Sequence, residues 1–206
     1  MVGPGALDSS TELEITRYAI SLLNPIRQQL GVDQYIITQQ ALDDSTNIAI
    51  QYGQDNWTIF NHGTHDFQVL SNNHHDGESL SDGYLTLNNG TATLDDIHRA
   101  VYNSIRDMLF DDASSSWGHA TDLAGMRGDM NGIYLGVQID KNGQVHFNGN
   151  LKYKAGWTYT DATGLFTEPD DTSTRIPLTT DDSAEALQLK AAVQDAQNQL
   201  NQAMLT

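Results

Sequence analysis

Apolar residues return at helical spacing over four stretches of this chain and at strand spacing over one. In residues 11–30, Ile15, Ala19, Leu22, Leu23, Ile26 and Leu30 fall on one stripe, as a helix that buries one face requires. Thr11 is placed to cap it, Glu12 and Glu14 favour the positive end of the helix dipole, and Gly31 is a good stop. Pro25 lies inside the pattern and should kink or divide the helix. Residues 38–52 predict a second helix with Ala41, Leu42, Ser45, Ile48, Ala49 and Tyr52 inward and Gly53 ending it. Residues 93–110 predict a third, opened by Thr93 and Asp96 as a capping-box pair, with Ile97, Val101, Ile105, Met108 and Leu109 on its apolar face. The period then changes to two. Ile133, Leu135, Val137 and Ile139 alternate, Asp140-Lys141-Asn142-Gly143 reads as a turn, and Val145 and Phe147 resume the alternation, which predicts a hairpin over 132–150.

The remaining stretches are less regular. Residues 62–70 suit a short helix, 76–89 a loop with one strand, and 157–160 another strand. The polar run with Pro169 and Pro177 reads as a linker. From Asp182 and Glu185, a further capping-box pattern, Ala186, Leu189, Val193, Ala196, Leu200 and Ala203 recur in steps of three and four. That narrow, Ala-rich seam suits a coiled coil better than a terminal helix packed on the domain. The expected organisation is a disordered or artificial leader over 1–10, an α/β domain over 11–167, a linker over 168–181, and the start of a stalk helix over 182–206.

Charge narrows the partners. The 206 residues carry a formal net charge of -17 with only 10 Lys and Arg together. A nucleic-acid binder needs a basic face, so that class is excluded. The same charge disfavours anionic membranes, and no apolar run reaches the roughly 18 residues of a span. With no cysteine, disulfides and thiolate metal sites are excluded. The opening MVGPGALDSS lacks the basic and apolar parts of a signal peptide.

Common catalytic signatures are missing. There is no His-Glu-x-x-His motif, no phosphate-cradling loop, and Gly77-Glu78-Ser79-Leu80-Ser81 lacks the last glycine of a nucleophile elbow. The turn at Asp140 lacks the bidentate glutamate of a calcium loop. What remains is a cluster of imidazoles and acids: His62, His65, His74, His75 and Glu78 in one segment, and His119 beyond the third helix. Neutral imidazole is a good ligand for zinc or copper and a ready acid or base near neutral pH.

Several pieces of sequence, taken in order, resemble the CAP superfamily of cysteine-rich secretory, antigen 5 and pathogenesis-related proteins. Leu22-Leu23-Asn24-Pro25-Ile26-Arg27 with Gly31 is similar to its opening "LxNxxR…G". Trp117-Gly118-His119-Ala120 with Leu123 is similar to "GHxxxL", and Ile133-Tyr134-Leu135-Gly136-Val137 to the strand that follows. Within the superfamily, His65-Asp66, Met108-Leu109-Phe110-Asp111-Asp112 and the Trp117 motif resemble the surface exclusion proteins of Gram-positive conjugative plasmids. The heptad tail fits their layout of a head on a coiled-coil stalk with a cell-wall anchor.

The resemblance implies a three-layer α-β-α sandwich with a cleft lined by two histidines and one or two glutamates. His119 is the firmest match. His65 is the first histidine, with His75 as its rival, and Glu78 stands for the first glutamate. The second acid has no plain match; Asp107 or Asp111 would substitute. The implied cofactor is Zn2+ or another divalent cation on His65 and His119. Without metal, Glu78 and His119 would act as an acid–base pair if they come within hydrogen-bond reach. The implied role is an extracellular, cell-wall-attached module for surface exclusion or adhesion. Its partner would be a cell-surface protein or wall polymer, with dimerisation through the coiled coil. The alternative is a peptidase-like hydrolase using His65, Glu78 and His119. A lipid carrier is a third class, but Trp57, Phe60, Phe67, Tyr84, Trp117 and Trp157 read first as core and cleft walls.

Overall fold

A computed structural model describes residues 6–73, 77–81, 85 and 91–151. The chain divides into two units, Met1–Glu168 and Pro169–Thr206, and every described residue belongs to the first. The strand over 157–160, the linker over 168–181 and the heptad tail over 182–206 lie outside the described residues, as do His74 and His75.

Helix α1, Ser9–Gln29, starts before Thr11: Asp8 is the cap, its side chain accepting the Thr11 N–H. Ala6 and Leu7 ahead of it are buried, and Gln138 binds the Leu7 N–H at 2.9 Å. Pro25 does not divide the helix. Ile20 and Leu23 before it and Arg27 after it are all buried, so tertiary packing carries α1 through the missing N–H. Helix α2, Gln39–Asp55, is capped by Thr38 and runs past Gly53 to end at Asn56, which takes the left-handed conformation. Two short helices follow, α3 (Ile59–His62) and α4 (Phe67–Asn72), then strand β1 (Glu78–Ser81). Helix α5, Leu94–Phe110, is opened by the Thr93–Asp96 capping box that its sequence predicts. Helix α6 (Gly118–Leu123) and the hairpin β2 (Gly132–Ile139) and β3 (Val145–Leu151) complete the order.

The three strands form one antiparallel sheet in the order β1-β3-β2. On one face Leu135, Val137, Ile139, Val145 and Phe147 join Ile15, Leu23, Ile97, Val101 and Ile105 of α1 and α5 in the main core. The other face is covered by α2. There Ala41 and Ser45 lie so close to Gly136 that an added Cβ would sit 2.3 Å from the Ala41 carbonyl oxygen. Ile48 and Tyr52 pack with Leu80 in a second cluster. The result is the expected α-β-α layering, and because helices cover both faces every residue of β2 is buried. Strand β1 is one edge of the sheet, and the candidate site lies beside it.

The sequence matches to the CAP pattern have structural reasons here. Asn24 clamps the backbone of Tyr35, accepting its N–H at 2.7 Å and donating to its carbonyl at 3.1 Å. Arg27 is fully buried and donates to three carbonyls, those of Asp33, Leu123 and Gly132. It thereby ties α1 to the end of α6. Gly125 packs directly against the Arg27 guanidinium with φ +72°, a place and conformation suited to glycine.

Candidate functional site

Glu78 opens β1 and its side chain is fully buried. Four groups surround its carboxylate. On Oε1 lie His146 Nδ1 at 2.7 Å and Asn148 Nδ2 at 3.2 Å. On Oε2 lie the Tyr52 hydroxyl at 2.7 Å and His65 Nδ1 at 2.8 Å. The Tyr52 oxygen already accepts the Asp66 N–H, so its own proton goes to Glu78. A carboxylate offers about four acceptor positions, and all of them are used. His65 therefore donates from Nδ1.

The electrostatics agree with that count. Burial works to raise the Glu78 carboxyl, but His146 and His65 outweigh it and hold it well below the usual carboxylate range. Burial also works against a charged His146, yet Glu78 and Asp140 push it up to about 9. The Tyr52 hydroxyl is raised by burial and then by Glu78, so it stays a donor.

A second pair forms across the cleft. Asp112, just after α5, accepts from His119 Nδ1 at 2.8 Å through Oδ1. Through Oδ2 it accepts the N–H groups of His119 and Ala120. One side chain thus caps the start of α6 and fixes the ring it carries. Burial works to raise Asp112, but the bonds from His119 and Ala120 hold it below its ordinary value. Ser116 and Trp117 both adopt positive φ, uncommon for residues other than glycine. The Trp117 N–H bonds back to the Asp112 carbonyl at 3.0 Å, so the turn that presents His119 is held at both ends. Ser79 Oγ donates to Asp122 at 2.9 Å and pins α6 to β1.

The rings of His65 and His119 lie 6.5 Å apart between centroids, each about a quarter exposed. Beside His119 is a cavity of about 180 Å³ lined by Asp107, Asp111, Asp112, Met108 and Ser104 among others. Small-molecule sites run to roughly 300–1,000 Å³, so this one is smaller than a typical small-molecule site.

The structure thus brings His65, Glu78 and His119 close together, but in a different pairing from the one the sequence suggests. Glu78 backs His65, and the acid behind His119 is Asp112 rather than Glu78, Asp107 or Asp111. His62 stacks on Trp57 with centroids 3.8 Å apart. His75, the rival of His65, lies outside the described residues. Tyr52, Asn148 and His146 were not legible as site residues. Their one signal is register: His146 and Asn148 alternate with the apolar Val145 and Phe147, and Asn148 pairs with Glu78 across the ladder.

Each imidazole has its Nδ1 fixed by a carboxylate, an arrangement that orients histidine ligands in metal sites. Among the described residues, however, no three His, Asp or Glu groups converge to hold an ion. His65 and His119 would be only two of the three protein ligands that a catalytic zinc takes.

No family model matches the sequence, and no curated protein does. The structure is similar to that of the CAP domain of Enterococcal PrgA. The TM-score is 0.60 at 21% identity, over 78% of this chain and 68% of that one. This chain has the CAP fold. No helix among the described residues is long and apolar enough to cross a membrane.

Proposed function

We propose that this CAP domain is presented outside a Gram-positive cell, contacts a protein or wall polymer of a cell surface, and hydrolyses a bond in what it contacts. The observation that carries the hydrolytic part is the pair of carboxylate-backed imidazoles facing one another across the cleft. The surface setting is supported by the motifs shared with surface exclusion proteins and by the likeness to the PrgA domain.

In this reading the Nδ1–H of each ring is committed to its carboxylate, which leaves Nε2 as the base. One imidazole takes a proton from water as the water oxygen attacks a substrate carbonyl carbon. The imidazolium formed is stabilised by the carboxylate behind it, as in a His–Asp pair. That proton then passes to the leaving amine as the C–N bond breaks. Such a positioned base contributes roughly 10²–10⁴-fold in rate. His65 and His119 are the catalytic residues, while Glu78 and Asp112 are positioning residues.

The test is cleavage of extracted cell-surface proteins by the purified domain, followed by mass spectrometry. Wild type is expected to give discrete products, and His65→Ala and His119→Ala to lose cleavage by about 10²-fold or more with unchanged melting. Cleavage that persists in both variants overturns the reading. Binding without cleavage leaves only the contact role. Stoichiometric zinc uptake that disappears in the double variant would reassign the two rings from acid–base groups to ligands.

A further inference from the structure

Three large aromatic residues stand exposed beside the two imidazoles and their acids, and the hydrolysis proposed above gives them no task. Phe67 is 66% exposed, Phe110 74% and Trp117 47%. Phe67 belongs to the His65 side: its N–H bonds the His65 carbonyl at 3.1 Å, and the two rings lie 6.3 Å apart between centroids. Val69 and Leu70 take the buried face of α4 and leave Phe67 outside. Trp117 precedes His119 by two residues, and Phe110 precedes Asp112 by two. Trp117 is the most informative of the three. Its φ is +61°, a conformation that is costly for a bulky residue. Its N–H is held by the Asp112 carbonyl at 3.0 Å, and its carbonyl by the Thr121 hydroxyl at 2.5 Å. The core gains little in return, because nearly half of the residue faces solvent. Glycine would serve the turn better, so the turn does not explain the indole. Single exposed apolar residues are ordinary on a protein surface, but several beside one candidate site mark a contact surface.

We propose that Phe67, Phe110 and Trp117 form the docking surface for a basic polypeptide segment, whose apolar side chains and arginines or lysines lie on the aromatic rings. Charge selects this occupant. The chain carries a net charge of -17, which repels a second copy and any phosphate-bearing polymer alike. The cavity beside His119 adds Asp107, Asp111 and Asp112. Asp107 is paired with Arg106, and Asp112 with His119. Asp111, exposed just after α5, is therefore the carboxylate that an arriving cation would meet. Aromatic faces attract cations, and arginine suits both partners, since its planar fork stacks on rings and pairs with carboxylates. A neutral sugar chain would use the rings and leave the acid without a partner. A polypeptide with alternating apolar and basic residues uses both.

The inference rests on the reading that this domain contacts a cell-surface molecule, and it names that molecule as a protein. Its test is binding, not turnover. The probe is a dye-labelled, unstructured peptide of Arg, Leu and Ser, followed by fluorescence anisotropy and checked by mass spectrometry to stay intact. Wild type is expected to bind it, and to bind versions with Glu for Arg or Ser for Leu about tenfold more weakly or worse. Trp117→Gly keeps the turn, because glycine takes positive φ freely. It should lose about tenfold in affinity with melting unchanged or raised, so the loss cannot be laid to unfolding. Phe67→Ser and Phe110→Ser should lose a similar factor, and Asp111→Asn should weaken binding and flatten its salt dependence. Equal affinity for the Arg and Glu peptides overturns the proposal, as does full affinity in Trp117→Gly and Phe67→Ser. Solubilised wall glycan that binds where the Arg peptide does not would assign the surface to a sugar polymer and overturn it too. The two readings fail separately. Peptide binding by a domain that cleaves nothing sinks the hydrolysis alone, and cleavage of surface proteins by Trp117→Gly at an unchanged KM sinks the docking surface alone.

Discussion

Two glutamates are buried in this domain, and they carry opposite charge states for one physical reason. Glu12, on α1, is 3% exposed. Its Oε2 accepts from Thr46 at 2.8 Å, while Oε1 has no partner. Burial raises its carboxyl to about 8, and nearby Asp43 adds to the shift. Glu78 is just as buried, but two imidazoles, an amide and a phenol aim at it, and it stays ionised. Burial alone sets neither charge; the donors and counter-charges within reach do. One acid is a neutral group in a corner of the fold, and the other is the fixed anion on which the cleft is built.

The sharpest way to break the contrast is at Glu78. Glu78→Gln leaves the imidazolium of His146 with a neutral neighbour in a closed site. Breaking one side of a buried pair costs about 3–5 kcal/mol, and urea unfolding at pH 7 is expected to show that loss. The same groups set the pH profile of wild type. Glu78 is depressed in the folded state, so its contribution is present above the ordinary value of 4.5 and is lost as pH falls. His146 is raised, so its contribution is complete below 6.5 and is lost as pH rises through about 9. Glu12 is also raised, and stability falls between 4.5 and about 8 as the unfolded chain releases a proton that the folded one keeps. Together they place the stability maximum close to the ordinary carboxylate value of 4.5, well below neutral. A flat profile from pH 5 to pH 9 would contradict the assignments of Glu12 and His146, and no loss of stability below pH 4.5 would contradict that of Glu78.

Glu12→Gln sharpens the comparison from the other side. It should stabilise the domain at pH 8 by on the order of 3 kcal/mol and change little at pH 4, where the native group and the amide are both neutral. A melt series on the variant is expected to lose most of the wild-type slope between those limits. Equal stability of the two proteins at pH 8 would mean that Glu12 finds a partner when charged.

The same contrast explains what could be read from the sequence. The long helices and the hairpin were legible because Ile15, Leu23, Ile97, Val101, Val137 and Phe147 repeat at the period of their element and face one apolar core. The opposite face of the sheet was not legible. Gln138, His146, Asn148 and Asn150 look like the solvent side of a half-buried strand, yet all four are fully buried under the second layer. Polar residues in alternation signal water only when nothing covers them, and one-strand periodicity cannot see α2. The pairing of His119 with Asp112 was hidden by a different cause. Both lie in the quoted motifs, but the tight turn through Ser116 and Trp117 selects Asp112 over its neighbour Asp111, and helical spacing does not describe that turn.

The gentlest perturbation separates the covering layer from the site. Gly136 lets α2 lie on β2, and its motif position in the sequence has this steric reason. In Gly136→Ala the new methyl would meet the Ala41 carbonyl oxygen and the Ser45 Cβ at 2.8 Å. Backbone cannot turn aside as a side-chain tip can, so the first half of α2 must lift. Overpacking of this kind costs about 1–3 kcal/mol. Ser45 donates to Asn148 at 2.9 Å and will feel the shift, whereas Tyr52 lies two turns further along α2 and holds Glu78 from there. The expected variant is less stable by thermal melting but keeps the His65 Nδ1–H bond to Glu78, read by ring-nitrogen NMR. If that bond is lost as well, the orientation of the cleft depends on the whole seat of α2, not only on the four groups around Glu78.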